Sequence, residues 1–265
     1  MRADVYLTQF GHAPSRSRAA TMIQEGAVRI DGVSICKVSE QIDETREHTV
    51  TLAEVIPYVG RGGLKLQGAL DAFRVDCQGK YALDVGASTG GFTDCLLQHG
   101  AAHVFSVDAG SGQLAPSLCR DTRVTNVENC NARYLSAAVL GEQFPKDGVP
   151  LCVMDVSFIS QTLILPALLP LLCDGADLLT LVKPQFELGR AQIGKGGIVR
   201  TDAARKDAIV RVITCAQTCG FCAMGLIVSP IRGGDGNVEY LLHLKKTADP
   251  VANVSTETLL RAIGL

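Results

Sequence analysis

The sequence predicts an α/β protein: a doubly wound, mostly parallel sheet flanked by helices, preceded by a small α+β module. Three observations carry that expectation. From Lys65 onward, short apolar runs alternate with helical patterns, as in strands joined by crossover helices. The stretch YALDVGASTGGFTD, Tyr81 to Asp94, runs from an apolar segment through a turn of small residues into a helix. Residues 1–58 have a different texture, built from short pieces with their own turn signals.

In that first region DVYLTQFG is one of the short alternating pieces. Ser15 is placed to cap a helix running to Glu25, with Gly26 as its stop. VRIDGVSI reads as two short strands about an Asp31-Gly32 hairpin turn. Pro57 and three glycines mark VIPYVGRGG, Val55 to Gly63, as a junction. The expected domains are therefore residues 1–58, a linker at 59–63, a larger domain at 64–246 and a tail at 247–265.

In the larger domain the helix LKLQGALDAF precedes strand YALDV (81–85), and helix GFTDCLLQHG follows. Strand HVFSVDA (103–109) comes next, then a helix around Gln113 to Cys119 and a short strand RVTNV. Strand LCVMDV (151–156) leads into one helix, FISQTLILPALLPLL, and strand ADLLTLVKP (176–184) into a glycine-rich loop. After the helix DAARKDAIVRVITCAQTCG, CAMGLIVSP and NVEYLLHLKK have only a turn between them and must pair antiparallel.

Composition narrows the function classes. The formal net charge is −2, so any polyanion-binding surface must be local, and 47% hydrophobic residues suffice for a normal core. The ten cysteines are scattered within apolar stretches, and Met1 to Gly11 has no apolar leader segment. Both point to buried thiols in a reducing cytoplasm. Cys219-Gly-Phe-Cys222 is a lone pair with no second, too little for a zinc site, so no metal is expected. The longest apolar run, Leu163 to Leu172, is about half a bilayer span and carries two prolines, so no membrane span is expected.

Ligands of such sheets sit beyond the carboxyl ends of the strands, with the first β–α turn favoured. Gly86, Gly90 and Gly91 would let backbone and ligand approach closely, but G-x-x-x-G-G is not the dinucleotide fingerprint and lacks the lysine of a P-loop. Asp108, at the end of the second strand, suits the ribose diol of either NAD or S-adenosylmethionine. Asp84, just before the turn, would repel a pyrophosphate but suits a cationic sulfonium. S-adenosylmethionine is the better ligand, with an NAD-linked oxidoreductase disfavoured. Four charged residues, Lys65, Asp155, Lys183 and Glu239, lie at element ends or in apolar strands. Singly, each is more often an ordinary salt-bridged residue. Together, near a methyl donor, they suit methylation of a ribose 2′-hydroxyl, a very weak acid that needs a base. A neutral lysine can serve, with a second lysine lowering its proton affinity and carboxylates orienting it.

These residues sit in motifs that resemble the TlyA (hemolysin-A-like) family: RADVYLTQFGHAPSRSRAATMIQEGAVRIDG, GRGGLKLQGAL, LDVGASTGGFTD, VDAGSGQL, NARYL, DVSFIS, LVKPQFE, GKGGIVR and SPIRGGDGNVEYLL. The resemblance covers about residues 2–246. It implies a Rossmann-like, FtsJ-like S-adenosylmethionine-dependent methyltransferase behind an S4 RNA-binding domain, acting on the 2′-hydroxyl of cytidine in ribosomal RNA. It also implies a Lys-Asp-Lys-Glu tetrad of Lys65, Asp155, Lys183 as base, and Glu239. Its donor site would take Asp84, Gly86, Ser88, Thr89, Gly90, Gly91, Phe92, Asp108 and Asn131. Gly60 stands where many relatives have Ser, and Thr201 where the motif usually ends in Asp. In the S4-like module Arg2, Arg16, Arg18 and Lys37 are the cations placed on RNA. The competing readings are a non-catalytic RNA-binding or ribosome-assembly factor, and a cytolysin.

Overall fold

The computed structural model describes residues 1–24, 26–52, 56–189, 192–247 and 253–265. The expected helix end at Glu25, the first residue of the junction stretch at Val55 and residues 248–252 of the tail lie outside that set. The chain divides into two compact units, Met1–Pro57 and Tyr58–Leu265.

The first unit holds helices α1 (Ala3–Gln9) and α2 (Arg16–Gln24) and strands β1 (Val28–Ile30), β2 (Val33–Ser34) and β3 (Val50–Leu52). The strands form an antiparallel sheet in the order β2-β1-β3. Ser15 caps α2 as expected, its Oγ accepting the Arg18 N–H at 3.2 Å. Asp31 and Gly32 both have positive φ (50° and 77°), the primed hairpin turn that pairs Ile30 with Val33. DVYLTQFG is helical rather than extended, because Ala3, Asp4, Tyr6 and Leu7 bury one face of α1 at three- to four-residue spacing.

The second unit opens with Tyr58, so the expected linker residues belong to it, and Gly62 and Gly63 are the first turn of α3 (Gly62–Phe73). There follow β4 (Tyr81–Val85), α4 (Gly91–Gln98), β5 (His103–Val107), α5 (Pro116–Cys119), β6 (Val124–Val127) and α6 (Ala137–Leu140). Then come β7 (Val149–Met154), α7 (Leu165–Leu168), β8 (Leu172–Val182), α8 (Pro184–Glu187) and α9 (Asp202–Thr218). The unit ends with β9 (Phe221–Val228), β10 (Tyr240–Lys246) and α10 (Thr256–Ala262). Seven strands form one sheet in the order β6-β5-β4-β7-β8-β10-β9. Neighbours from β6 to β8 are parallel, and β10 is antiparallel to both β8 and β9. The doubly wound sheet with its antiparallel last strand is thus as the sequence predicts. Its middle strands are buried on both faces, with Leu83, Phe105, Cys152, Met154 and Leu178 in one core.

Three local expectations change. FISQTLILPALLPLL is not one helix but a 3₁₀ turn at Gln161–Leu163, α7, and a second 3₁₀ turn at Leu169–Leu171. Pro166 and Pro170 each stand in the first turn of a new piece, because proline has no N–H to continue the preceding one. The segment after β8 is not all loop, since Pro184 opens α8. The tail contains α10, capped by Ser255 Oγ accepting the Thr258 N–H and burying Leu259 and Leu260.

Strand ends set the rim. Strands β4, β5, β7 and β8 stop at Val85, Val107, Met154 and Val182, so Gly86, Asp108, Asp155 and Lys183 are the first residues beyond four strands. Because β10 runs the other way, Glu239 reaches the same rim ahead of that strand's first residue.

Asp84 behaves differently. It is fully buried within β4, where its Oδ2 accepts the Thr93 hydroxyl at 2.6 Å and its Oδ1 has no partner. Burial raises its pKa to about 7, against the opposing Thr93 hydrogen bond. The folded state therefore keeps a proton that the unfolded chain loses near pH 4, and stability falls as pH rises from about 4 to about 7. Asp84→Asn should remove that slope, worth a few kcal/mol at ~1.4 kcal/mol per pH unit. Denaturant midpoints of the two proteins across this range test it: a stability difference that stays constant with pH would sink the assignment.

Candidate functional site

The turn after β4 is pressed against the end of β7. Gly86 has a φ of 88°, and a Cβ there would lie 2.4 Å from the Asp155 carbonyl oxygen, so no side chain fits. Gly91 opens α4 in a less crowded place, its Cβ position being 3.0 Å from the Gly63 amide nitrogen. Gly90 is the residue before α4.

Over this turn lies a cavity of about 410 Å³ whose walls include Gly86, Ser88, Asp108, Asn131, Asp155 and Phe158. Two backbone amides fix the Asp108 carboxylate: Ser88 N–H donates to Oδ2 at 2.8 Å and Gly110 N–H to Oδ1 at 2.7 Å. Each oxygen keeps acceptor capacity for a ribose diol. Asn131 caps the 3₁₀ turn Ala132–Tyr134, its Oδ1 accepting the Arg133 N–H at 3.1 Å.

A smaller cavity of about 190 Å³ shares Gly86, Ser88, Asp155 and Ser157 with the first, and adds Thr89, Gly91, Phe92 and Lys183. Asp84 lines neither cavity, nor does Gly90. The charge that the sequence argument gave Asp84 is also weakened, because burial favours its neutral form.

The four charged residues resolve into two ion pairs. Lys183 Nζ lies 2.6 Å from Asp155 Oδ1 and donates to Ser157 Oγ at 2.8 Å. Lys65 Nζ donates to Glu239 Oε2 at 2.6 Å, with Glu239 almost fully buried. Register brings the pairs to one rim: Tyr240 faces Val182 across β10 and β8, so Glu239 and Lys183 leave neighbouring strands side by side.

A polar frame that no sequence pattern signals stands behind these pairs. The segment 155–161 carries Asp155, Ser157 and Phe158, and its far end is tied to the Lys183 element through Glu187 in α8. Glu187 accepts the Ser160 hydroxyl at 2.5 Å and the Gln161 N–H at 2.9 Å. Gln161 Nε2 donates to the Leu181 carbonyl at 2.5 Å, and Thr180 Oγ1 to Gln161 Oε1 at 2.8 Å. Burial pushes the Glu187 carboxyl up despite these donors. Midway along the segment Phe158 has a φ of 63° and is 91% exposed, its ring 5.0 Å from that of Phe186. An exposed aromatic held in a left-handed conformation has no local sequence signal, whereas Gln161 reads as an ordinary helix residue and Glu187 as a loop residue.

In the first unit, Arg2 and Arg16 both bond the buried Asp4, each with a guanidinium nitrogen 2.9 Å from it. Arg2 is the larger influence holding that carboxyl down to about 2. Both arginines are thus partly neutralised while still facing solvent. Arg18 and Lys37 make no ion pair among the described residues, and Lys37 is exposed.

Comparison with known proteins agrees with this architecture. The FtsJ-like methyltransferase family matches residues 58–246, and the S4 domain family matches residues 1–47. The chain is 44% identical over 248 residues to the 16S/23S rRNA (cytidine-2′-O)-methyltransferase TlyA of Mycobacterium tuberculosis, covering 94% of this chain and 91% of that protein. It is 40% identical to Hemolysin A of Brachyspira hyodysenteriae, over 92% of this chain and 99% of that one. A solved structure from Streptococcus thermophilus shares 40% identity, covers 99% of this chain and 94% of its own, and superposes with a TM-score of 0.74. With a catalytic-domain match over most of its length and relatives alike from end to end, the chain belongs to the TlyA family, an S4 domain followed by an FtsJ-like methyltransferase.

Proposed function

We propose that this protein is a cytoplasmic 2′-O-ribose methyltransferase that takes its methyl group from S-adenosylmethionine and modifies cytidine in ribosomal RNA. One observation carries the reading: Asp155 stands on the wall shared by a donor-sized cavity and a smaller one, and Lys183, paired with it, lines the smaller. The substrate class follows the relatives' names.

The larger cavity fits the donor. Asp108 offers two pre-fixed oxygens to a ribose diol, Asn131 stands on the wall for the adenine end, and Asp155 gives the shared wall an acid suited to a cation. Ser88 completes that wall beside Gly86. When bound, S-adenosylmethionine supplies an electrophilic methyl group. Lys183, in its neutral form, accepts the proton of the 2′-hydroxyl as the oxygen becomes nucleophilic. Asp155 and Ser157 then receive the resulting ammonium, both already within 2.8 Å of Nζ. The Lys65–Glu239 pair holds the neighbouring stretch of the rim and keeps a second cation near the base. Phe158 offers an exposed ring to an unstacked base, and such stacking is worth about 1–3 kcal/mol. The S4 domain supplies the RNA contact, with Arg18 and Lys37 as its uncommitted cations.

Lys183→Ala should lower kcat by about 10²- to 10⁴-fold while leaving donor affinity unchanged, as read with labelled donor and unmodified ribosomal subunits. Full turnover by that variant would refute the base assignment, and absence of transfer by the parent protein would favour an assembly factor. Phe158→Ala should raise KM for RNA roughly tenfold, with Phe158→Trp restoring it. An unchanged KM would remove Phe158 from the acceptor site.

A further inference from the structure

Two exposed arginines outside the tetrad are drawn together at the acceptor side of the rim. Arg61 is the residue before α3, and its Nη2 donates to the Arg232 carbonyl at 3.3 Å. Arg232 lies in the turn between β9 and β10, and its own Nη1 donates to the Gly236 carbonyl at 3.2 Å. Neither guanidinium has a carboxylate within ion-pair distance among the described residues, and Asp235 in the same turn pairs with neither. Six other arginines have one, and the rest of the described arginines, Arg74 among them, have none, so what sets Arg61 and Arg232 apart is their place on the rim.

Their position is defined from both sides. Gly62, next to Arg61, lines the smaller cavity together with Lys183. Gly233, next to Arg232, is packed on Glu239, so that a Cβ there would lie 2.5 Å from Oε1. The turn is also rigidly held. Asn237 is almost fully buried, its Oδ1 accepting the Val199 N–H at 2.9 Å and its Nδ2 donating to the Gly197 carbonyl at 3.0 Å. Gly233 N–H donates to the Asn237 carbonyl at 3.0 Å. Each guanidinium is held by a backbone carbonyl of the same turn and keeps other N–H donors to offer, and planar guanidinium forks match the oxygens of a phosphate. The substrate chemistry supplies that anion: a ribose 2′-hydroxyl sits on the carbon adjacent to the one bearing the 3′-phosphodiester. Any RNA strand presenting its hydroxyl to Lys183 brings a phosphate alongside.

We propose that Arg61 and Arg232 jointly grip the phosphodiester next to the acceptor ribose, registering the RNA strand on Lys183. This rests on the methyltransferase reading. The parent protein's transfer of label to unmodified ribosomal RNA is therefore measured first, and its failure would sink that reading rather than this one. The paired variant Arg61→Gln/Arg232→Gln should raise KM for RNA roughly tenfold or more, with kcat at saturating RNA and donor affinity unchanged. Its slope of log KM against log salt should fall by about 0.7, the value for one phosphate on a single strand. Arg61→Lys/Arg232→Lys should keep that slope, and Arg74→Gln, an exposed cation at the far end of α3, should behave as the parent. Donor binding by each variant shows that it is folded. An unchanged salt slope in the Gln pair would overturn the proposal, as would an equal effect from Arg74→Gln. A loss of donor affinity restored by the Lys pair would also overturn it, by assigning the arginines to the donor's carboxylate.

Discussion

The close approach of Gly86 to the Asp155 carbonyl is the contact on which the rest of the site depends. It lets the first turn of the sheet and the end of β7 share one wall. That wall is common to both cavities, and it carries the acid that holds Lys183. A methyl group on that turn would push the two strand ends apart and part the wall of the larger cavity from Lys183. The adjacent parallel strands β4, β7 and β8 thus do more than form a core, since their ends set Gly86, Asp155 and Lys183 side by side on one rim.

The polar frame behind this wall uses few residues. Glu187 and Gln161 satisfy one another's neighbours and leave segment 155–161 anchored at both ends, at Asp155 through its N–H to the Val85 carbonyl and at Gln161 through Glu187. Between those anchors the chain can hold Phe158 in a backbone conformation it would not choose alone. A buried carboxylate is costly to keep, and this one is kept where it joins the segment that carries Phe158 to the element that Lys183 opens.

Much of this was legible in the sequence, for identifiable reasons. Strands β4, β5, β7 and β8 were readable because both faces are buried and their apolar runs are nearly continuous. Strand ends were less so: Asp108, Asp155 and Lys183 were drawn inside strands, because hydrophobic pattern does not show where a ladder stops. The pairing of Lys65 with Glu239 could not be read, since it depends on the sheet order. Asp84 was misjudged physically: its position beside the turn was clear, but which way its side chain faced was set by packing against Thr93 and Ser106. The glycines of the turn were legible as a demand for space, whereas the exposed Phe158 obeys no periodicity.

The insertion of β10 between β8 and β9 has a consequence for how the enzyme comes into being. Among the described residues strand β9 has β10 as its one partner strand, although it precedes it in the chain, and so has no neighbouring strand until β10 arrives. The Lys65–Glu239 bond closes across 174 positions, and Glu239 immediately precedes that same strand. A growing chain therefore contains Asp155 and Lys183 before it contains Glu239. Completion of the site waits on the last strand to be synthesised, so an unfinished chain leaving the ribosome lacks the full charged rim.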